Sequence, residues 1–199
     1  MKTKQVLAVM ISFLFLLYGC SNTDESVEES ALASKKSGPK GSAIDQTYPQ
    51  AQAEVIETFM AIRASIIENS GTGSENMDEL ISFHEYEGYT FTEFNYDFNG
   101  VGHSYTAEEN EANERQLFGD YLEEWDAEVN QFAAVPGTLK VAVYYGNVAN
   151  LTFTSDFILT HKTYGLITVN NLITLLFVKT KGEWKMVHEH HSQWVPLTN

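Results

Sequence analysis

The hydrophobic pattern of this chain changes period once, at Pro136-Gly137, and that change limits the fold more than any other feature. Before it, apolar residues recur at helical spacing. Pro49 stands where a helix would begin, and Ala53, Ile56, Phe59, Met60, Ala64 and Ile67 follow until Asn69-Ser70-Gly71-Thr72-Gly73 stops the run. Asn76, with Asp78 and Glu79 behind it, can cap a short second helix through Phe83. Residues 89–98 are rich in aromatics and threonine and read as a strand. Thr106-Ala107-Glu108-Glu109 has the capping-box form, and Leu117, Phe118, Tyr121, Leu122, Trp125, Val129 and Phe132 give the apolar stripe of a long helix that ends at Pro136-Gly137. Beyond that point the period is two. Segments 139–145, 148–160 and 166–179 are rich in Val, Ile, Thr, Tyr and Phe, and Gly146-Asn147, Tyr164-Gly165 and Lys181-Gly182 separate them from each other and from a last strand. The order helix, helix, strand, helix and four strands predicts an α+β fold, with a curved antiparallel sheet wrapped around the N-terminal and central helices.

The last strand carries the most chemistry. Under strict alternation Trp184, Met186, His188, His190 and Ser192 share one face, and Lys185, Val187, Glu189 and His191 share the other. The pattern of a Gly182 turn, Trp184 and then Val187-His188-Glu189-His190-His191-Ser192 resembles the final strand of SnoaL-like members of the NTF2-like superfamily. It is also similar to the association domain of calcium/calmodulin-dependent kinase. By element order the resemblance extends over about residues 48–194. It implies an NTF2-like cone whose open end holds a largely apolar pocket. Such domains include isomerases, dehydratases, epoxide hydrolases and polyketide cyclases, and also members that only bind ligands or assemble, so membership leaves the activity open. The resemblance further implies a homodimer that works without metal or cofactor.

At the other end, Lys2 and Lys4 precede an uncharged run, 6–18, that closes on Leu17-Tyr18-Gly19-Cys20. This is a signal peptide with an apolar core too short for a comfortable membrane span. It resembles a bacterial lipoprotein signal, which implies acylation of Cys20 by chains such as palmitate. Cys20 is the sole cysteine, so no disulfide within the chain competes for it. Acyl chains hold a protein to the membrane by about 0.8 kcal/mol per buried methylene. Ser21 after the cysteine points to the outer membrane if the host is Gram-negative. Residues 21–42 are serine-rich and charged, with almost no large apolar side chains, and read as a flexible tether. The expected organisation is a lipoprotein signal at 1–19, a tether at 20–42 and one domain at 43–199.

Net charge is −15, and −17 once Lys2 and Lys4 leave with the signal. An acidic balance of this size argues against nucleic acid and against an anionic membrane face as partners.

The expected function is a lipid-anchored, exported domain that binds a small apolar or aromatic molecule in its cone, with Trp184, Met186, His188, His190, Tyr144 and Tyr145 at the site. His188 and His190 lie two apart on a strand and could act as hydrogen-bond donors or as general acid and base. The alternative for the pair is structural, two part-buried imidazoles that help to close the cone. Two imidazoles do not make a metal centre, and His84, His103, His161 and Asp156 cannot be placed beside them from spacing. Asp156 interrupts an otherwise uncharged strand and matches the desolvated carboxylate base of family enzymes by type. Alternation puts it with Thr152, Thr154 and Ile158, a face that could equally be the solvent side. Tyr144 and Tyr145 point to opposite faces, so one of them should look inward. Glu189 and His191 are expected on the exposed face. The hub domains hold carboxylate ligands with sheet arginines, and no arginine follows Arg115 here. Two further readings stand beside binding. One is a cofactor-independent lyase, isomerase or hydrolase using His188, His190 or Asp156, and the other a non-catalytic oligomerisation module.

Overall fold

The computed structural model describes residues 47–87, 91–96, 101–192 and 195–196. All of them fall in one unit, Lys40–Asn199. The expected signal, the tether with Cys20, both ends of the strand expected at 89–98, and Trp194 lie outside the described residues.

Helix α1, Pro49–Asn69, has Pro at its first turn, where no intrahelical donor is lost. It buries Val55, Phe59, Ile62 and Ile66, which recur at helical spacing. The inward stripe is therefore rotated by one residue from the expected one. Ile56, Met60 and Ile67 are exposed, and only Phe59 belongs to both sets. Two apolar rows run along this helix, and the sheet takes the row of Val55, Phe59, Ile62 and Ile66. Helix α2, Asp78–Ser82, starts after Met77 without a side-chain cap, so Asn76 does not play that part.

Strands β1, Thr92–Tyr96, and β2, Gly102–Thr106, form an antiparallel hairpin. Helix α3, Ala107–Glu114, opens on the expected capping box: the Glu109 amide donates to Thr106 Oγ1 at 3.4 Å and the Thr106 amide to Glu109 Oε2 at 2.9 Å. It continues as a π-helical stretch, Arg115–Tyr121, and a last turn α4, Leu122–Glu124. There the long helix stops, ten residues or so earlier than the apolar spacing predicts. Asp126 takes a positive φ of 51° and the chain leaves as strand β3, Ala127–Ala134. Val129 and Phe132 are thus strand residues, and a bulge between Val129 and Gln131 gives them a spacing that mimics a helix.

The remaining strands are β4, Lys140–Tyr144; β5, Val148–His161; β6, Gly165–Asn170; β7, Leu172–Thr180; β8, Glu183–His191; and β9, Val195–Pro196. The β4–β5 and β7–β8 hairpins close through Tyr145-Gly146 and Lys181-Gly182, with both residues of each turn at positive φ. That geometry matches the twist of the flanking strands. The sheet order is β2-β1-β8-β7-β5-β6-β9, and the pairs are antiparallel except β1 with β8. Strand β5 organises the whole. Its first half lies between β4 and β7, its second half between β3 and β6. Both neighbours change near Thr154 and Ser155. The core fills the space between α1 and the concave face, where Phe59 packs on Phe153 with ring centroids 4.8 Å apart.

The π-helical stretch is held against the turn that follows α1. The Gly71 amide donates to the Phe118 carbonyl at 2.7 Å and the Ser74 amide to Asp120 Oδ1 at 2.9 Å. A Cβ on Gly119 would stand 2.5 Å from the Ser74 backbone nitrogen. No side-chain rotation relieves a contact with backbone, so Gly119→Ala is expected to destabilise the domain by about 1–3 kcal/mol. Urea denaturation of the two proteins measures this, and equal midpoints would show that the helix does not seat there.

Candidate functional site

A cavity of about 140 Å³ opens between α1, the helical segment around residues 114–125 and the concave face of the sheet. Most of its wall is apolar, with Ile62, Phe118, Phe157, Leu175 and Met186 among the lining residues and the Trp125 ring beside them. Its polar wall is made by His84, Asn95, Glu114, Ser155, Asn171, Glu189 and His191. No lysine or arginine is among the described residues that line it.

The polar wall begins with a register change in β8. Phe177 of β7 faces Met186, while Leu176 faces His188, so Val187 is one residue extra on its strand. Before the bulge the chain pairs with the segment after α2: the Met186 amide donates to the Phe83 carbonyl and the Glu85 amide to the Met186 carbonyl, both at 2.8 Å. After it, β8 pairs with β1 in parallel, Thr92 against His188 and Phe94 against His190. A one-residue shift moves every later side chain to the other face. Glu189 and His191 consequently join Met186 on the concave side.

His188 and His190 therefore do not line the cavity, contrary to the alternation expected from the sequence. His188 Nδ1 lies 2.9 Å from Thr92 Oγ1 and 3.0 Å from the Thr92 carbonyl, and His190 is exposed, with its ring against Phe94 at 5.3 Å. Glu189, expected in solvent, is 6% exposed. Trp184 is core rather than cavity wall, and its indole donates to Glu54 Oε2 at 3.0 Å. Met186 lines the cavity. Asp156 sits on the outer face of β5 and accepts a hydrogen bond from Gln131. Tyr144 is half-buried at the end of β4, and Tyr145 is exposed in the turn because the strand ends one residue before it. Neither tyrosine reaches the cavity.

Side chains that alternation did not select form the buried cluster. Glu189 Oε1 lies 3.2 Å from His84 Nε2, and its Oε2 lies 3.3 Å from His191 Nε2. His84 Nδ1 faces the Leu80 carbonyl at 3.1 Å. A carbonyl can only accept, so the hydrogen of that contact belongs to Nδ1. Glu93 is the direct cross-strand neighbour of Glu189. Its two oxygens accept from Asn95 Nδ2 at 3.0 Å and from Asn110 Nδ2 at 2.8 Å, and Tyr86 donates in turn to Asn110. Glu114, the last residue of α3, is 8% exposed and lines the cavity.

Two carboxylates side by side in an apolar wall are unfavourable unless something offsets them. Burial pushes the Glu189 carboxyl up, but the hydrogen bonds and charges of His191 and His84 hold it below the usual carboxylate range. Burial and the neighbouring Glu189 push Glu93 up. Burial, with Glu189 and Glu93 nearby, pushes Glu114 well up. Burial acts to lower His191, yet the bond to Glu189 and the charges of Glu189 and Glu93 raise it on balance. Ligating atoms of Glu93, Glu189 and His191 lie within 4.8 Å of one another, a spacing that a divalent ion could bridge. Each of the four carboxylate oxygens, however, already lies within hydrogen-bond distance of one of Asn95, Asn110, His84 and His191.

The SnoaL-like domain model matches residues 94–197, more than half of the 199 residues. The chain belongs to the SnoaL-like domain family. Its fold is shared by a solved candidate aromatic ring hydroxylase from Novosphingobium aromaticivorans, with a TM-score of 0.55 at 14% identity over 76% of this chain and 96% of that one. A candidate dehydratase of the NTF2-like family from Streptomyces avermitilis gives 0.55 at 14% identity over 76% and 99%. The association domain of C. elegans CaMKII gives 0.52 at 13% over 73% and 97%. At these identities the likeness is one of fold, and the SnoaL-like cone is what they share with this domain. No curated protein matches the chain.

Four buried or cavity-lining groups of this SnoaL-like domain, Glu93, Glu114, Glu189 and His191, bear on its pH dependence. Glu189, depressed in the fold, contributes stability that is present above the ordinary glutamate value near 4.5 and lost as pH falls below it. Raised Glu93 and Glu114 bind protons more tightly folded than unfolded, so they withdraw stability as pH climbs above that same value. Raised His191 adds stability below about 6.5 and loses it as pH rises through its folded value. The melting temperature is expected to peak in mild acid and fall toward pH 8, and Glu114→Gln should flatten that fall. A scan of melting temperature from pH 4 to 9 on both proteins decides it, with a flat or rising wild-type profile above pH 6 counting against the cluster.

Proposed function

We propose that this SnoaL-like domain binds one small, mainly apolar molecule in the cavity, with Glu114, Glu189 and His191 orienting its polar end. The observation that carries this reading is the combination of an apolar wall of about 140 Å³ with a few convergent polar groups. Binding sites are built that way. An engineered apolar cavity of roughly 150 Å³ accepts benzene, so the volume suits a single ring or an aliphatic molecule of similar bulk. Acylation at Cys20, read from the sequence, would hold this binding domain at a membrane.

A cofactor-independent lyase, isomerase or hydrolase is the second reading, and the buried contact of His84 with Glu189 at 3.2 Å favours it. Such a dyad can pass a proton to or from a bound molecule through His191, which opens on the cavity. The roles fall to Glu189 and the two histidines that contact it.

Fluorine NMR with 4-fluorobenzyl alcohol tests the binding reading on the purified protein. Saturable broadening or shift of the probe is expected, together with its loss in Leu175→Trp, which fills the cavity, provided circular dichroism shows the variant folded. No saturable signal in the wild type, or an unchanged one in the filled variant, would overturn it. Retained binding in Glu189→Gln with loss of turnover on any substrate found would separate the catalytic reading from binding alone.

A further inference from the structure

The last residue of α3 is the part of the cavity that hydrogen bonding leaves open. Glu93 and Glu189 spend both oxygens on named donors. Glu114 has no hydrogen-bond or ion-pair partner among the described residues, although it is more than nine-tenths buried. Among the described residues no wholly enclosed side-chain nitrogen or oxygen lacks a partner, so the Glu114 carboxyl faces open space. The space it borders is the cavity.

We propose that the cavity is selective for a small apolar amine, whose nitrogen pairs with the Glu114 carboxylate while its hydrocarbon part fills the apolar wall. This rests on the reading of the cavity as a binding site and names the class of ligand. Three carboxyl groups, Glu93, Glu114 and Glu189, face two imidazoles, His84 and His191, and no lysine or arginine is among the described lining residues. A ligand carboxylate would add a fourth acid and meet no free cation. A neutral alcohol would satisfy Glu114 with one hydrogen bond and leave its charge state unchanged. An amine does more, because charge-assisted hydrogen bonds in a water-poor site are the stronger kind. Trp125, Phe118, Phe132 and Phe157 line the same wall, and aromatic rings attract a cation placed over them.

The proton balance follows from the groups around Glu114. Burial and the charges of Glu189 and Glu93 push its carboxyl well up, with Tyr86, His84 and His191 completing the titratable surroundings of that cluster. An alkylammonium ion arriving from neutral solution keeps its proton and favours the ionised carboxyl. Where Glu114 carries a proton its O–H bond breaks, that proton leaves to solvent, and an ammonium carboxylate pair remains. Up to one proton is therefore released per amine bound.

The test uses benzylamine, benzyl alcohol and benzoate, three probes of nearly one shape, titrated calorimetrically into EDTA-treated protein. At pH 7.5 benzylamine is expected to bind at least tenfold tighter than benzyl alcohol, and benzoate at least tenfold weaker. Affinity for benzylamine should rise with pH between 6 and 8, by up to tenfold per unit, and heats in two buffers of different ionisation enthalpy should report net proton release, up to one per amine. Glu114→Gln should bring amine and alcohol within threefold of each other. Should that variant fail to fold, proton release in the wild type decides the matter. Alcohol binding without an amine preference would overturn this proposal and leave the binding site standing. Failure of all three probes would overturn both, and an amine affinity that appears only with added Zn²⁺ would replace Glu114 by a metal as the anchor.

Discussion

The structure depends on one strand exchanging both of its neighbours at one place. Strand β5 runs 14 residues, and at Thr154 and Ser155 its partners pass from β4 and β7 to β3 and β6. Ser155 is fully buried there. Its backbone amide donates to the Asn171 carbonyl at 2.8 Å, and its hydroxyl bonds the Asn171 side chain, so the end of β6 and the start of β7 are tied to the same residue. A single flat sheet could not serve all four partners. The two halves diverge, and the concave side becomes deep enough to hold α1 and still leave a cavity.

What that cavity can do is decided on a different strand. Val187 adds one residue to β8, and the acid-histidine cluster replaces two imidazoles on the concave side. The buried charges are tolerated because the cluster is almost closed on itself: four oxygens of Glu93 and Glu189 meet two carboxamides and two imidazoles. Buried polar networks stabilise when every member is satisfied and destabilise when one is not. Among the described residues Glu114 is the member left without a partner, and it is also the one that faces open space. Glu93 and its carboxamides hold the wall, and under the proposed reading Glu114 is the group that would meet a ligand.

Much of the architecture was legible in the sequence, and the failures have identifiable causes. The extent of α1, the capping box at Thr106 and strands β4, β5 and β8 followed from period and turn chemistry, the α+β class followed from the element order, and the family from the pattern of the last strand. The single strand expected at 166–179 is two, β6 and β7, parted at Asn171, where no glycine or proline marks the break. Strand β3 was hidden because its bulge respaces Val129 and Phe132 to a helical interval, and because Asp126 ends the helix at a positive φ with no glycine to announce it. The inward row of α1 was misplaced since both rows are apolar and only tertiary packing chooses between them. The site fared worst. Alternation is a local rule, whereas the bulge at Val187 arises from a change of partner, from the segment around His84 to β1, which no spacing in β8 records. The available signal was Glu189 itself, an acid among three histidines in a strand of core residues, where burial would demand such company.

The same strand carries two sets of titratable side chains on opposite faces, one toward the cavity and one away from it. A deletion of one residue at position 187, with the rest of the pairing kept, would turn Glu189 and His191 outward and bring His188 and His190 into the cavity. The lining would pass from an acid-histidine pair to two imidazoles without any change in the residues that follow. For a lineage whose members share a cone and differ in chemistry, length variation in the last strand is therefore a route to a new site as direct as substitution, and one that comparison of aligned residues would overlook.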